Sequence, residues 1–289
     1  MKTDIYAIVT QQIIEILEQG AGQWEHYLTE SARACNVARN VEGRPYTGIN
    51  AITLAFTRLR HGFKSNRWAT FKQIQAKGAQ VLKGSKGTPV LFFNVVEKKD
   101  AVVGEAQRYA MARYYTVFNL DQTTLVDDTP ELPVEAPANV KGCANDFVGI
   151  KIEHCLSSTA CYTPALDRIT MPHLPAFKSE AHYFSTLVHE CSHWTGHESR
   201  LNRNFSGRFG TYQHAMEELV AELATCFFAA ATNTEFHSQR NSAAYLGHWL
   251  TKAKEDSRAL VTVASKAQKA CELLLQHYKP AVMTGAMAG

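Results

Sequence analysis

Apolar residues recur at helical spacing through residues 4–19. Ile5, Ile8, Val9, Ile13, Ile16 and Leu17 share a face there, while Asp4, Glu15 and Glu18 carry charge. That period predicts an amphipathic helix with one buried side rather than a signal peptide. Residues 43–50 read as a turn leading into a helix over 51–59, and residues 69–78 as a short helix stopped by Gly78. Residues 79–99 then show two β-rich runs around a glycine-rich, doubly basic turn at Lys83 to Thr88. This reads as a hairpin, with a further strand over 112–120. In the second half, residues 160–172 have β-rich ends. Tyr183, Leu187 and Val188 open a helical pattern, and Val220, Leu223, Phe227 and Phe228 form the apolar stripe of another helix.

The periodicity breaks at residues 126–139, where three prolines and four acids fall together, so this stretch reads as a linker. The pattern predicts an α+β protein of two domains, residues 1–125 and 140–289. Charge divides at the same place. Residues 1–125 hold 16 Lys and Arg against 10 Asp and Glu, whereas residues 126–289 hold 14 against 17, a split concealed by the whole-chain charge of +3. Seven cysteines without a C-x-x-C pair argue against a disulfide framework and against a zinc ribbon. With no apolar span long enough for a membrane, the expected location is cytoplasmic.

The chemistry concentrates in residues 182–197, HYFSTLVHECSHWTGH, where His189, Glu190 and His193 have H-E-x-x-H spacing. On a helix, positions i and i+4 share a face, so the two imidazoles can hold one Zn²⁺, with Mn²⁺ or another divalent ion as the alternative. Glu190 then faces a water at the metal and serves as its general base. A third ligand is expected from the following acidic helix. Glu218 and Glu222 lie one turn apart there, Glu218 as the ligand and Glu222 behind an imidazole, while Glu217, turned about 100° away, competes for the ligand role. Cys191 points to another face and reads as core. His197 follows the helix-ending Gly196 and reads as a surface or supporting residue. A substrate strand is expected beside residues 160–172, with Tyr162, Asp167 and Arg168 as candidate cleft residues.

Residues 33–96 carry eleven basic side chains and one acid, Glu42, with aromatics interleaved. Such a mixture suits single-stranded nucleic acid, because bases stack on rings while Lys and Arg follow phosphates. The candidate contacts are Arg44, Tyr46, Arg58, Arg67, Trp68, Lys72, Lys83 and Lys86.

RPYTGIN, NRWATFKQIQAKGAQVLKGSKGTPVLFF and YYTVFNLDQT resemble the amino-terminal single-stranded-DNA-binding domain of ArdC-type antirestriction proteins. HECSHWTGHESRLNR, EELVAEL and AAYLGHWL resemble the zincin-like metallopeptidase domain of the same family. The resemblance implies a protein of mobile elements that protects incoming plasmid DNA from host restriction during conjugation. It places metal binding at His189, His193 and an acid of the EELVAEL helix, and the catalytic base at Glu190. Two readings follow: a peptidase brought to DNA to cut a restriction subunit or other DNA-associated protein, or a non-catalytic shield for single strands whose metal is structural.

Overall fold

A computed structural model of the protein describes residues 4–33, 36–99, 106–126, 144–205, 207, 211–237 and 242–280. The expected linker, apart from Val126, lies outside the described residues. The fold is α+β, with two sheets set around a group of long helices.

The first helix, α1 (Ile5–Glu18), is capped by Asp4, whose carboxylate accepts the amides of Tyr6 and Ala7. Val9, Ile13, Ile16 and Leu17 are buried as the period requires, while Ile8 stays partly exposed. Next come α2 (Ala21–Ser31) and β1 (Arg39–Asn40), then α3 (Gly48–His61), which ends on Gly62 in the left-handed conformation. The chain continues through β2 (Arg67–Thr70) and α4 (Phe71–Ala76) to two long strands, β3 (Thr88–Lys99) and β4 (Ala106–Asn119). The sheet order is β1-β2-β4-β3, with β1 parallel to β2 and the other pairs antiparallel.

The hairpin expected within residues 79–99 is not formed. Its first run makes only an isolated bridge between Val81 and Thr123, and the second run, β3, pairs instead with β4. The longer ladder gives β3 twelve partners, which a turn at Lys83 to Thr88 could not supply.

The second sheet has the order β5-β7-β6, built from β5 (Ile152–Cys155), β6 (Cys161–Thr163) and β7 (Arg168–Pro172). β6 pairs antiparallel with β7 and leaves its other side as a sheet edge. Four helices follow: α5 (Glu180–Trp194), α6 (Tyr212–Thr232), α7 (Ser242–Glu255) and α8 (Ala259–His277).

The largest core crosses between the two halves of the chain. Val9, Ile13, Trp24, Leu28 and Phe56 pack in one cluster with Leu219, Leu223, Trp249 and Ala264. Trp24 meets Phe56 edge-on at 5.9 Å and Trp249 at the same distance. The Cys226 thiol lies 3.5 Å from the Leu28 carbonyl, and the Gly48 amide donates to Gln268 at 3.2 Å. No described helix is long and apolar enough to cross a membrane.

Candidate metal centre

Ser179 caps α5 by accepting the His182 amide, and Phe184, Leu187, Val188 and Cys191 sink the helix into a second core cluster. The opposite stripe carries His189, Glu190 and His193, all buried. α6, capped by Thr211, lies against it and brings Glu217, Glu218 and Glu222 alongside.

The two imidazole Nε2 atoms are 3.2 Å apart. One Glu218 oxygen is 3.5 Å from His189 Nε2, and the other is 3.4 Å from His193 Nε2. Ligands about 2.05 Å from a tetrahedral ion are separated by about 3.3 Å, so this triangle has the dimensions of a divalent site. Among the described residues, these three form the group able to hold a metal ion. The chemistry agrees, since two imidazole nitrogens and a carboxylate turned toward one point are a donor set that suits a divalent ion.

Glu217 has a different place. Its Oε1 is 3.3 Å from His193 Nδ1, and Arg203 grips the same carboxylate, with Nε 3.1 Å from both oxygens and Nη2 2.8 Å from Oε1. Arg203 also donates to Thr195 Oγ1 and to the Ser192 carbonyl. Glu217 therefore steadies His193 from behind, so that Nε2 faces the centre. Glu222 stands behind the other imidazole, 4.0 Å from His189 Nδ1. Gly196 makes room for this arrangement: an added Cβ would lie 2.8 Å from the Arg203 guanidinium and 2.5 Å from Phe205.

Burial opposes charge on His193, yet Glu218, Glu217 and Glu190 outweigh it and push its pKa up to about 10. Burial likewise opposes ionisation of Glu218, but His193 and His189 hold it far below the usual carboxylate range. The cluster is thus rich in negative charge, which a divalent ion would offset.

Glu190 is held by the main chain. Its Oε2 accepts the Tyr162 amide of edge strand β6 at 2.8 Å. Tyr162 is itself clamped: its hydroxyl donates to Asp167 at 2.9 Å, and Arg200 pairs with Asp167 while stacking 3.8 Å over Trp194. Arg168 instead pairs with Glu153 at 2.9 Å. Cys161 and Tyr162 form one wall of a cavity of about 570 Å³ with the metal residues in its lining, and Phe205, His214 and Tyr245 also line it. His214, one turn before Glu218, lies 3.6 Å from its Oε1 and 3.0 Å from the Tyr245 hydroxyl. Its i, i+4 relation to Glu218 was available in the sequence; Arg203 and Arg200, on irregular chain, offered no such signal. Cys191 is fully buried, and His197 turns outward to Ser199.

Residues 3–118 match the family model of the N-terminal domain of anti-restriction factor ArdC, and residues 144–266 that of a zincin-like metallopeptidase. A metal-free crystal structure of the antirestriction ArdC protein from plasmid R388 superposes with a TM-score of 0.79 at 34% identity, covering 95% of this chain and 98% of that one. The chain belongs to the ArdC antirestriction family. The Mn(II)-bound structure of the R388 protein matches with a TM-score of 0.77 at 33% identity, again over 95% and 98% of the two chains. The ArdC-type chain is also 37% identical to uncharacterized protein y4eC of Sinorhizobium fredii (strain NBRC 101917 / NGR234), over 92% of this chain and 90% of that one. Two DNA primase TraC proteins of Escherichia coli are each 31% identical to it over 95% of this chain, which spans only 20% and 27% of their lengths.

In this ArdC-type chain the candidate nucleic-acid residues separate into groups. Arg44, Lys72, Lys83 and Lys86 are exposed. Arg58 and Arg67 are half-buried. Arg58 braces the chain through Asn36 and the Lys64 carbonyl, and Arg67 lies 3.5 Å from the Asn40 carbonyl. Tyr46 is half-buried beside a small core cluster. Trp68 is corrected: it is 0% exposed within that cluster, among Leu54, Val90 and Val117, so no base can stack on it. Trp68→Ala should accordingly lower stability by about 3 to 5 kcal/mol in chemical denaturation, through the cavity it leaves.

Proposed function

We propose that this chain is an antirestriction protein that binds single-stranded DNA through its basic N-terminal half and carries a metallopeptidase site. It would act in the cytoplasm to protect incoming plasmid DNA from host restriction during conjugation. The residues proposed for the metal are His189, His193 and Glu218, with Zn²⁺ or Mn²⁺ as the ion. The observation carrying this reading is the 3.2 to 3.5 Å triangle of ligand atoms beside a glutamate oriented by an edge strand. A DNA-associated protein, such as a restriction subunit, is the proposed substrate.

A divalent ion, when bound, polarises a carbonyl and lowers the pKa of a water at the site to about 7. The chain's own groups supply the rest. Arg203 and Glu217 fix His193, Glu222 backs His189, and Glu190 takes the proton of the attacking water at its carboxylate. Tyr162 donates its main-chain N–H to Glu190, keeping that carboxylate turned into the cavity. The open edge of β6 can align an extended peptide as an added strand.

Glu190→Gln tests the chemistry, because it removes the base while leaving the three metal-binding groups. Metal content should remain at the wild-type level by elemental analysis, and substrate cleavage should fall by about 10² to 10⁴-fold. Undiminished antirestriction in a conjugation assay with this variant would reduce the site to a structural metal. Binding to single strands is tested separately. Affinity for an oligonucleotide should drop steeply between about 50 and 200 mM salt as counterions are released. A flat salt response would remove the phosphate contacts from this reading.

A further inference from the structure

We propose that the ribbon formed by β3 and β4 carries the base-stacking surface for single-stranded nucleic acid, on the face that presents Phe92, Arg113 and Tyr115. The assignment rests on the reading above that the chain binds such strands, and it replaces the buried Trp68 with rings that reach solvent.

Four aromatic side chains open to solvent within four consecutive rungs of the ladder: Phe92 at 42%, Phe93 at 53%, Tyr114 at 45% and Tyr115 at 43%. The register pairs Val90 with Tyr115 and Phe92 with Arg113. Cross-strand partners share a face and alternate rungs return to it, so Phe92, Arg113 and Tyr115 stand together. The rings of Phe92 and Tyr115 meet edge-on at 5.1 Å, which holds both planes in place. Phe93 and Tyr114 occupy the reverse face.

On the first face, Val90 and Val117 are buried with Leu54 of α3 and with Trp68, so the aromatic pair begins where the helical cover ends. The position is also pinned, because the Asn50 side chain donates to the Leu91 carbonyl at 2.7 Å and accepts its amide at 2.8 Å. The rings therefore project from a ribbon anchored at its root.

Soluble proteins do not ordinarily leave such a group of rings bare without a use for it. Charge selects the occupant. Arg113 is exposed on the same rung as Phe92, and residues 33–96 leading to the ribbon carry eleven basic side chains against one acid. A second copy would bring like charge to like charge, whereas a single strand brings phosphates for the cations and a π-face on every base.

The test uses the full chain with Phe92→Ala and Tyr115→Ala combined, titrated against a fluorescein-labelled oligo-dT of about 20 nucleotides at about 50 mM salt. Affinity should fall at least about tenfold, with thermal stability and metal uptake unchanged. A second variant, Phe92→Leu with Tyr115→Leu, keeps the apolar bulk and removes the π-faces; it should show the same loss even if the alanine pair unfolds. If the wild type binds the oligonucleotide and the leucine pair binds it equally well, the ribbon is not the stacking surface, while the single-strand reading stands. If the wild type does not bind at all, that reading falls and takes this assignment with it. Wild-type dimerisation that the alanine pair abolishes in light scattering, with DNA affinity intact, would assign the face to a second copy and overturn the proposal.

Discussion

The first 126 residues, expressed alone, should fail to fold. Their helices α1, α2 and α3 bury Val9, Ile13, Trp24, Leu28 and Phe56 against α6, α7 and α8. Cutting the chain exposes those side chains, each worth about 1.5 to 3 kcal/mol when buried. A typical domain has a net stability of only about 5 to 15 kcal/mol, so losing several such contacts exceeds it. The clusters that stay complete are two small ones, one around Trp68 and one around Ile74, while the large one keeps only its N-terminal half. The fragment should retain some helix by far-ultraviolet circular dichroism, bind a hydrophobic dye and unfold without a cooperative transition. A sharp two-state transition in denaturant would show that the N-terminal half holds its own core.

Adjacent glutamates on α6 should fail in opposite ways when each is replaced by alanine. Glu217→Ala strands the Arg203 guanidinium, which is buried and held by three contacts to that carboxylate. Removing one partner of a buried pair is worth about 3 to 5 kcal/mol of stability, so this variant should unfold early even in chelator. Glu218→Ala removes a group whose partners are imidazoles around the metal position. In chelator it should lose less stability than Glu217→Ala, because His193 can shed its proton, which the Arg203 guanidinium cannot. Without chelator, however, added Mn²⁺ or Zn²⁺ should no longer stabilise the protein. The wild type should gain about 2.7 kcal/mol at an ion concentration a hundred times its dissociation constant. Paired denaturation curves with and without metal separate the two cases, and an exchange of the two phenotypes would make Glu217 the ligand.

The metal cluster was legible because its geometry is mostly helical. Fixed spacing along one helix brings His189 and His193 together, and the same rule sets Glu218 and Glu222 one turn apart on the next. Choosing between Glu217 and Glu218 needed more, since the choice depends on Arg203, which reaches α6 from irregular chain after α5. Similar limits explain the misplaced hairpin. Local pattern marks β3 as a strand, but its partner begins beyond residue 105, and nothing in a short window weighs that pairing against a nearer one. Trp68 shows the same weakness in composition. A ring among basic residues reads as a stacking surface until the sheet and α3 close over it. The shared core was hidden as well, because an amphipathic period shows that α1 has a buried face without naming what covers it.

The grip on Glu190 comes from the peptide group of residue 162, and this separates two properties that in many active sites are tied together. Side chains along the edge of β6 other than the clamped Tyr162 could be exchanged, altering what the cavity admits, and the N–H that orients Glu190 would stay in place. Under the proposed function, preference for a target can therefore drift within this architecture while the alignment of Glu190 stays fixed. For the antirestriction role proposed above, in which restriction systems differ from host to host, that freedom is of direct use.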